Sequence, residues 1–173
     1  MSKYINLGLT RVLVFLAILL IQLWGSAALA EDAVCRYCGM KRSHYPHSWV
    51  IVTHTDGSKE LVCSVHCAAI DMALHTDKQV SQITVADYKT HRQIPAETAF
   101  WVIGGDRAGV MTARAKWAFK DKADAERFIK DHGGKLADFD AVMKAAFEDM
   151  YQDTLMIRKK QRMLNLRKNV TKE

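Results

Sequence analysis

Two stretches of the chain repeat one order of predicted elements, and this repetition constrains the fold more than any other feature. Residues 61–72 (LVCSVHCAAIDM) align with residues 117–128 (WAFKDKADAERF), so that Leu61 falls on Trp117. The patterns around both segments predict strand, strand, helix and strand. We therefore expect an α+β fold of two related ββαβ units, followed by a long C-terminal helix.

Local signals place the elements of each unit. Residues 48–55 and 59–64 have strand composition, and the dipeptide Asp56-Gly57 between them is a strong hairpin signal. An apolar helix is predicted over 65–75. The other predicted elements are strands at 79–88, 99–105, 115–121 and 135–139, a connector at 91–97, and a helix from 122 that Gly133 and Gly134 terminate.

The end of the chain is predicted to be one amphipathic helix with a basic tail. Apolar residues recur at steps of three and four from residue 140 to Ile157, which gives the helix a face to pack on the second unit. Beyond Ile157 we expect the tail to fray or project. The expected division of the chain is a leader at 1–30, a first unit at 31–92, a second unit at 93–139, and a helix with its tail at 140–173.

The first thirty residues have the pattern of a signal peptide. Lys3 and Arg11 precede a short apolar core at 12–24, and residues 28–30 (ALA) form a small-x-small cleavage signal. The core is shorter than the roughly 20 apolar residues that span a bilayer. We expect export to the periplasm after cleavage; the alternative is a retained leader that anchors the chain to the membrane.

Charge is distributed unevenly along the mature chain. Removal of the leader lowers the formal net charge from +6 to +4, and residues 158–173 alone carry +6, so the body is mildly acidic. This distribution, together with export, argues against a nucleic-acid partner. The tail is either a solvated run of charges or a weak contact with anionic lipid headgroups or an acidic partner.

The four cysteines form two close pairs, Cys35 with Cys38 and Cys63 with Cys67. Disulfides are one interpretation for an exported chain, although a Cys-x-x-Cys disulfide closes a loop too small to constrain the unfolded chain much. A tetrahedral Zn²⁺ site of four thiolates fits the spacing better. A thiol–disulfide redox pair is a weaker alternative, because the first pair runs into a loop and not into a helix.

Methionines near the cysteines add a further candidate, Cu(I). Thiolate and thioether ligands select this soft ion, whereas zinc sites have no use for methionine. Met40 follows the first pair, and Met111 lies in a glycine-rich loop where a core role is less natural. His66 is an additional candidate ligand, with a polar surface position at the helix start as the alternative.

Several of these segments together resemble a known family. They are CRYCGM at 35–40, the hairpin after it, GVMTARAKWAF at 109–119, and KADAERFIKDHGGKLADFD at 122–140. The sequence resembles the NosL-type copper-binding accessory proteins associated with nitrous oxide reductase. The resemblance implies two similar ββαβ units, a fold related to part of the organomercurial lyases, Cu(I) binding, and copper delivery to a client enzyme with help from an ABC-type transporter.

Position by position, the family motif falls on Cys38, Met40 and Met111, with Cys35 as an associated thiol and a site between the two units. Cys63 and Cys67 are not general in the family, and we expect them to form a second metal site or to enrich the first in thiols. The sequence therefore predicts a periplasmic Cu(I) metallochaperone and not an enzyme. The alternatives are a structural four-cysteine zinc module and, more weakly, a redox protein.

Overall fold

The computed structural model describes residues 32–170, and the expected leader at 1–30 lies outside this range. From Ala33 to Val170 the described chain folds as one compact unit. Among the described residues, no helix combines the length and the apolarity that a bilayer crossing requires.

The first half of the chain forms a four-stranded antiparallel sheet with one helix. The strand order is β2-β1-β3-β4, and the hairpin between β1 and β2 pairs Val50 with Val62 and Thr53 with Lys59. The predicted turn at Asp56-Gly57 connects these two strands. The elements are β1 (Val50–His54), β2 (Lys59–Val62), α1 (Val65–Leu74), β3 (Val80–Ala86) and β4 (Gln93–Pro95).

Strand β4 lies where the sequence predicted only a connector. Its three residues pair with β3, with Thr84 opposite Pro95 and Ala86 opposite Gln93. A proline is compatible with such a short edge strand, because the edge needs no hydrogen bond from its nitrogen. The first sheet therefore continues to Pro95, beyond the limit expected at residue 92.

The second half repeats the arrangement with three strands. The order is β6-β5-β7, and both neighbours of β5 are antiparallel to it. The helix α2 ends where the two glycines were predicted to stop it, since Gly133 donates its N–H to the carbonyl of Ile129. The elements are β5 (Phe100–Ile103), β6 (Lys116–Phe119), α2 (Lys122–His132) and β7 (Lys135–Ala137). The predicted α+β fold of two ββαβ units is confirmed.

The C-terminal helix α3 (Phe139–Val170) is longer than the apolar pattern indicated. It packs against α1 and β5, and Val142, Ala145 and Ala146 are buried in the core. The helix continues through the basic segment after Ile157, which was expected to fray or to project. Lysine, arginine, glutamine and leucine all have high helix propensity, so this segment remains helical although its side chains from Arg158 to Met163 are exposed.

Candidate metal centre

The fold brings the four cysteines to one point. Cys35 and Cys38 lie on the loop before β1, Cys63 directly follows β2, and Cys67 is in the first turn of α1. Their sulfur atoms all lie within 4.8 Å of one another. Because β2 leads into α1 next to the loop, two pairs that are far apart in sequence form one four-thiol cluster.

The spacing of the sulfur atoms fits a tetrahedral metal ion. The Sγ atoms of Cys38 and Cys63 are 3.3 Å apart, those of Cys63 and Cys67 3.6 Å, and those of Cys67 and Cys38 4.0 Å. A metal–sulfur bond of about 2.3 Å places tetrahedral sulfurs roughly 3.8 Å apart. A disulfide would need about 2.05 Å, and all four residues are free thiols.

A tight loop presents the first two thiols to the cluster. Gly39 has a φ of +73° and donates its N–H to the carbonyl of Cys35 at 2.8 Å, while Cys35 donates to the carbonyl of Met40 at 2.8 Å. Only glycine adopts that left-handed backbone readily. The turn therefore keeps both sulfurs on one side of the loop.

Side chains inside the loop attach it to the rest of the first unit. The Tyr37 hydroxyl donates to Oδ1 of Asp71 on α1, and Arg36 forms an ion pair with Glu60 on β2 at 2.5 Å. Asp71 is fully buried, and no local pattern in the sequence predicts a partner for it. The loop is thus fixed to α1, which carries Cys67, and to β2, which Cys63 directly follows.

The thiols influence one another's protonation. Hydrogen bonds from Cys38, and then from Cys63 and Cys67, lower the pKa of Cys35. Contacts with Cys35, and then with Cys38, raise the pKa of Cys63 and of Cys67 above the ordinary thiol value, and burial adds to the effect. Without a metal, the cluster therefore favours a thiolate at Cys35 and protonated thiols at Cys63 and Cys67. A metal cation would displace those protons.

A cavity of about 430 Å³ lies next to the cluster. Cys38, which is less buried than the other three cysteines, lines it together with Met40 and Met111. Met111 has a φ of +61°, an uncommon backbone conformation for a residue other than glycine. The structure thus places both predicted methionines and one thiol around a single space.

His66, the additional candidate ligand, lies on α1 beside Cys67 but is buried and not on the surface. Its Nδ1 faces Asp153 of α3, with 3.3 Å to Oδ2. Burial lowers the pKa of His66, although Asp153 opposes this effect. Its role as a ligand stays a prediction.

Three residues near the centre had no clear signal in the sequence. Met156 of α3 also lines the cavity. Asp71 and Asp153 accept hydrogen bonds from the loops that carry the first cysteine pair and Met111. All three belong to helices, where periodicity indicates which face is apolar but not which neighbour a polar residue meets.

The fold and the site define the class: an α+β protein with a thiol-rich centre whose ligands suit soft or borderline metal ions. The chain belongs to the NosL family, whose pattern matches residues 26–147. The family resemblance predicted from the motifs is therefore confirmed.

Two relatives illustrate the similarity. The crystal structure of the copper chaperone NosL from Shewanella denitrificans matches with a TM-score of 0.56 and 26% identity, over 69% of this chain and 96% of that one. The HTH-type transcriptional repressor CutR of Bacillus subtilis (strain 168) is 31% identical over 122 residues. That match covers 70% of this chain but 60% of the repressor, so the chain spans about three fifths of that relative's length.

Proposed function

We propose that this protein is a metallochaperone that binds Cu(I) and passes it to a client protein. The observation that carries the proposal is the position of Cys38, which belongs to the four-thiol cluster and also lines the cavity with Met40 and Met111. Family membership and the similarity to the Shewanella copper chaperone support the choice of copper.

The chemistry of the two ligand types suits transfer. Thiolates hold Cu(I) strongly and neutral thioethers hold it less strongly, and Cu(I) itself tolerates low coordination numbers. A partner sulfur enters the coordination sphere before a protein sulfur leaves, so copper is never released to water. The partly exposed Cys38 and the cavity give the partner access, while the buried Cys35, Cys63 and Cys67 are shielded.

Anaerobic titration with Cu(I) and Zn²⁺, each in competition with a chelator, tests the metal. Met40→Ile and Met111→Ile should weaken Cu(I) binding by about tenfold and leave Zn²⁺ binding unchanged. Met163→Ile is the matched control, because this methionine of α3 is exposed and is not among the residues that line the cavity. Equal Cu(I) affinities in all four proteins would contradict the proposal.

The second candidate function is a structural zinc module, and the sulfur spacing favours it. Four thiolates at tetrahedral distances are a common ligand set of structural Zn²⁺ sites. This alternative predicts that Met40 and Met111 are dispensable and that removal of the metal unfolds the first sheet. Circular dichroism before and after chelation separates the two, since a chaperone must remain folded when it has delivered its ion.

The proposal also includes the protein that receives the copper and the compartment in which the transfer takes place. A copper enzyme of the nitrous oxide reductase type, or components of an ABC-type transporter, would receive the ion in the periplasm after the leader is cleaved. Mixing the copper-loaded protein with a copper-free client and following the client's metal spectrum tests delivery. Cell fractionation and the mass of the mature chain, expected to start at Glu31, test export.

A further inference from the structure

Some of the residues that line the cavity beside the thiol cluster lie outside the part of the chain that matches the family. The match ends at residue 147, and beyond it α3 contributes Met156, Ile157 and Lys160 to the lining. Met143 and Met150 of the same helix pack against the hydrophobic core. Met156 differs from them, because it lies at the cavity and is 40% exposed.

A buried aspartate fixes this part of α3 against the two elements that carry other candidate ligands. Oδ1 of Asp153 accepts a hydrogen bond from the backbone N–H of Ala113 at 3.0 Å, and Oδ2 lies 3.3 Å from Nδ1 of His66. Ala113 is two residues after Met111, and His66 directly precedes Cys67. Asp153 therefore holds α3 against both the Met111 loop and the start of α1.

The helical register then determines where Met156 lies. Residues three apart occupy the same face of an α-helix, so Met156 follows Asp153 on the face directed toward the Met111 loop. The same loop holds Met111 in a left-handed backbone conformation, which requires support from its surroundings. Three thioethers from distant parts of the chain, those of Met40, Met111 and Met156, thus line one cavity.

We infer that Met156 is a third thioether ligand for Cu(I), which it binds in the cavity together with Met40 and Met111. Cys38 is the thiolate shared between this cavity position and the four-thiol cluster. The inference rests on the proposed function and adds to it a second copper position, from which the ion leaves the protein. Copper moves by ligand exchange from the four-thiol cluster through Cys38 to the thioethers, with no change of oxidation state.

Nuclear magnetic resonance of isotope-labelled methionine methyl groups tests the inference directly. The purified chain is titrated anaerobically with Cu(I), and the methyl signals are assigned by single substitutions. The signals of Met40, Met111 and Met156 should shift together, whereas the signal of Met163 should not. Met156→Leu should lower Cu(I) affinity by about tenfold, and Met163→Leu should leave it unchanged. Thermal melts check that both variants are folded.

The outcomes separate this inference from the proposed function. A Met156 signal that stays fixed while those of Met40 and Met111 shift would overturn the third ligand and leave the chaperone intact. Identical affinities for Met156→Leu and Met163→Leu would do the same. If the wild-type chain fails to compete for Cu(I) at all, the proposed function fails, and the inference fails with it.

Discussion

The hydroxyl of Tyr37 donates a 2.5 Å hydrogen bond to Oδ1 of Asp71 and so joins the loop between the first two cysteines to α1. Asp71 lies one helical turn after Cys67, and its buried carboxylate also faces His75 at 3.0 Å and His54 at 3.5 Å. The Asp71 carboxylate therefore connects the loop that carries Cys35 and Cys38 to the helix that carries Cys67. Such outer contacts commonly tune a metal site.

Tyr37→Phe should weaken both metal binding and the fold. The substitution removes a hydrogen bond to a buried carboxylate, which is worth about 2 kcal/mol of unfolding free energy, and it loosens the loop that carries Cys35 and Cys38. We expect metal affinity to fall by about tenfold, measured by chelator competition. Tyr151→Phe is the matched control, since Tyr151 is 69% exposed. An unchanged affinity in Tyr37→Phe would show that the loop does not depend on this contact.

Metal affinity should decrease as the pH falls. The pKa values of Cys63 and Cys67 are raised by their contacts with Cys35 and Cys38, so the metal-free protein holds protons that binding must release. Lower pH favours the protonated, metal-free state. Competition titrations between about pH 8 and about pH 6, together with calorimetry in buffers of different ionisation enthalpy, measure the released protons. A Cys63→Ser variant should release fewer, and a wild-type affinity independent of pH would contradict the prediction.

Asp149→Asn should destabilise the junction between α3 and β6. Lys116, whose side chain is 2% exposed, is paired with Oδ2 of Asp149 at 2.8 Å, and Arg114 reaches the same oxygen at 2.9 Å. Removal of the negative charge leaves the buried ammonium group of Lys116 with neutral oxygen acceptors only, the asparagine amide and the backbone carbonyl of Arg114, at a loss of about 3 kcal/mol. Urea unfolding measures this loss. Glu148→Gln, which alters an exposed neighbour that also contacts Arg114, should cost less than about 1 kcal/mol.

The same pair makes an acid-sensitive contribution to stability. Burial raises the pKa of Asp149, but hydrogen bonds from Arg114 and Lys116 outweigh it and hold that pKa below its usual value. A carboxyl group with a lowered folded-state pKa stabilises above its unfolded pKa of about 3.9 and loses that contribution as the pH falls further. Unfolding curves of wild type and Asp149→Asn should therefore converge below about pH 4; a constant difference down to lower pH would contradict this.

The two glycines after α2 should differ in their tolerance of alanine. Both have positive φ angles, +74° at Gly133 and +100° at Gly134, so either alanine would be strained by roughly 2 kcal/mol. A Cβ at Gly133 meets its nearest atom at 3.8 Å, whereas one at Gly134 lies 2.8 Å from Val102 and 3.1 Å from the carbonyl of Ile103. Gly134→Ala should therefore melt at a lower temperature than Gly133→Ala, and equal melting temperatures would rule out the steric contribution.

Local signals predicted most of the fold. The Asp56-Gly57 hairpin, the end of α2 at Gly133 and the repeated order of elements depend on neighbours in the chain, and the structure reproduces them. The prediction failed at β4, because pairing of Gln93–Pro95 with β3 depends on a partner strand and not on local composition. It also left open whether the basic segment after Ile157 frays or projects, because the apolar pattern describes packing and not helix propensity.

The sequence predicted which residues are candidate ligands but not how they are arranged in space. The four cysteines and the two methionines were candidates because thiols and thioethers are metal ligands. Their sequence spacing could not decide whether the second cysteine pair joins the first, since that depends on how β2 leads into α1. Met156 carried no signal, because a methionine on an amphipathic helix most often fills the core.

The sequence alone determined the repeated ββαβ order, the family and the chemical class of the ligands, because these follow from local propensity, spacing and side-chain chemistry. Only the tertiary structure decided that the four sulfurs lie within 4.8 Å of one another and that Cys38 lines a cavity with Met40, Met111 and Met156. Such convergence depends on side chains that are distant in sequence, and packing of the strands and helices alone brings them together.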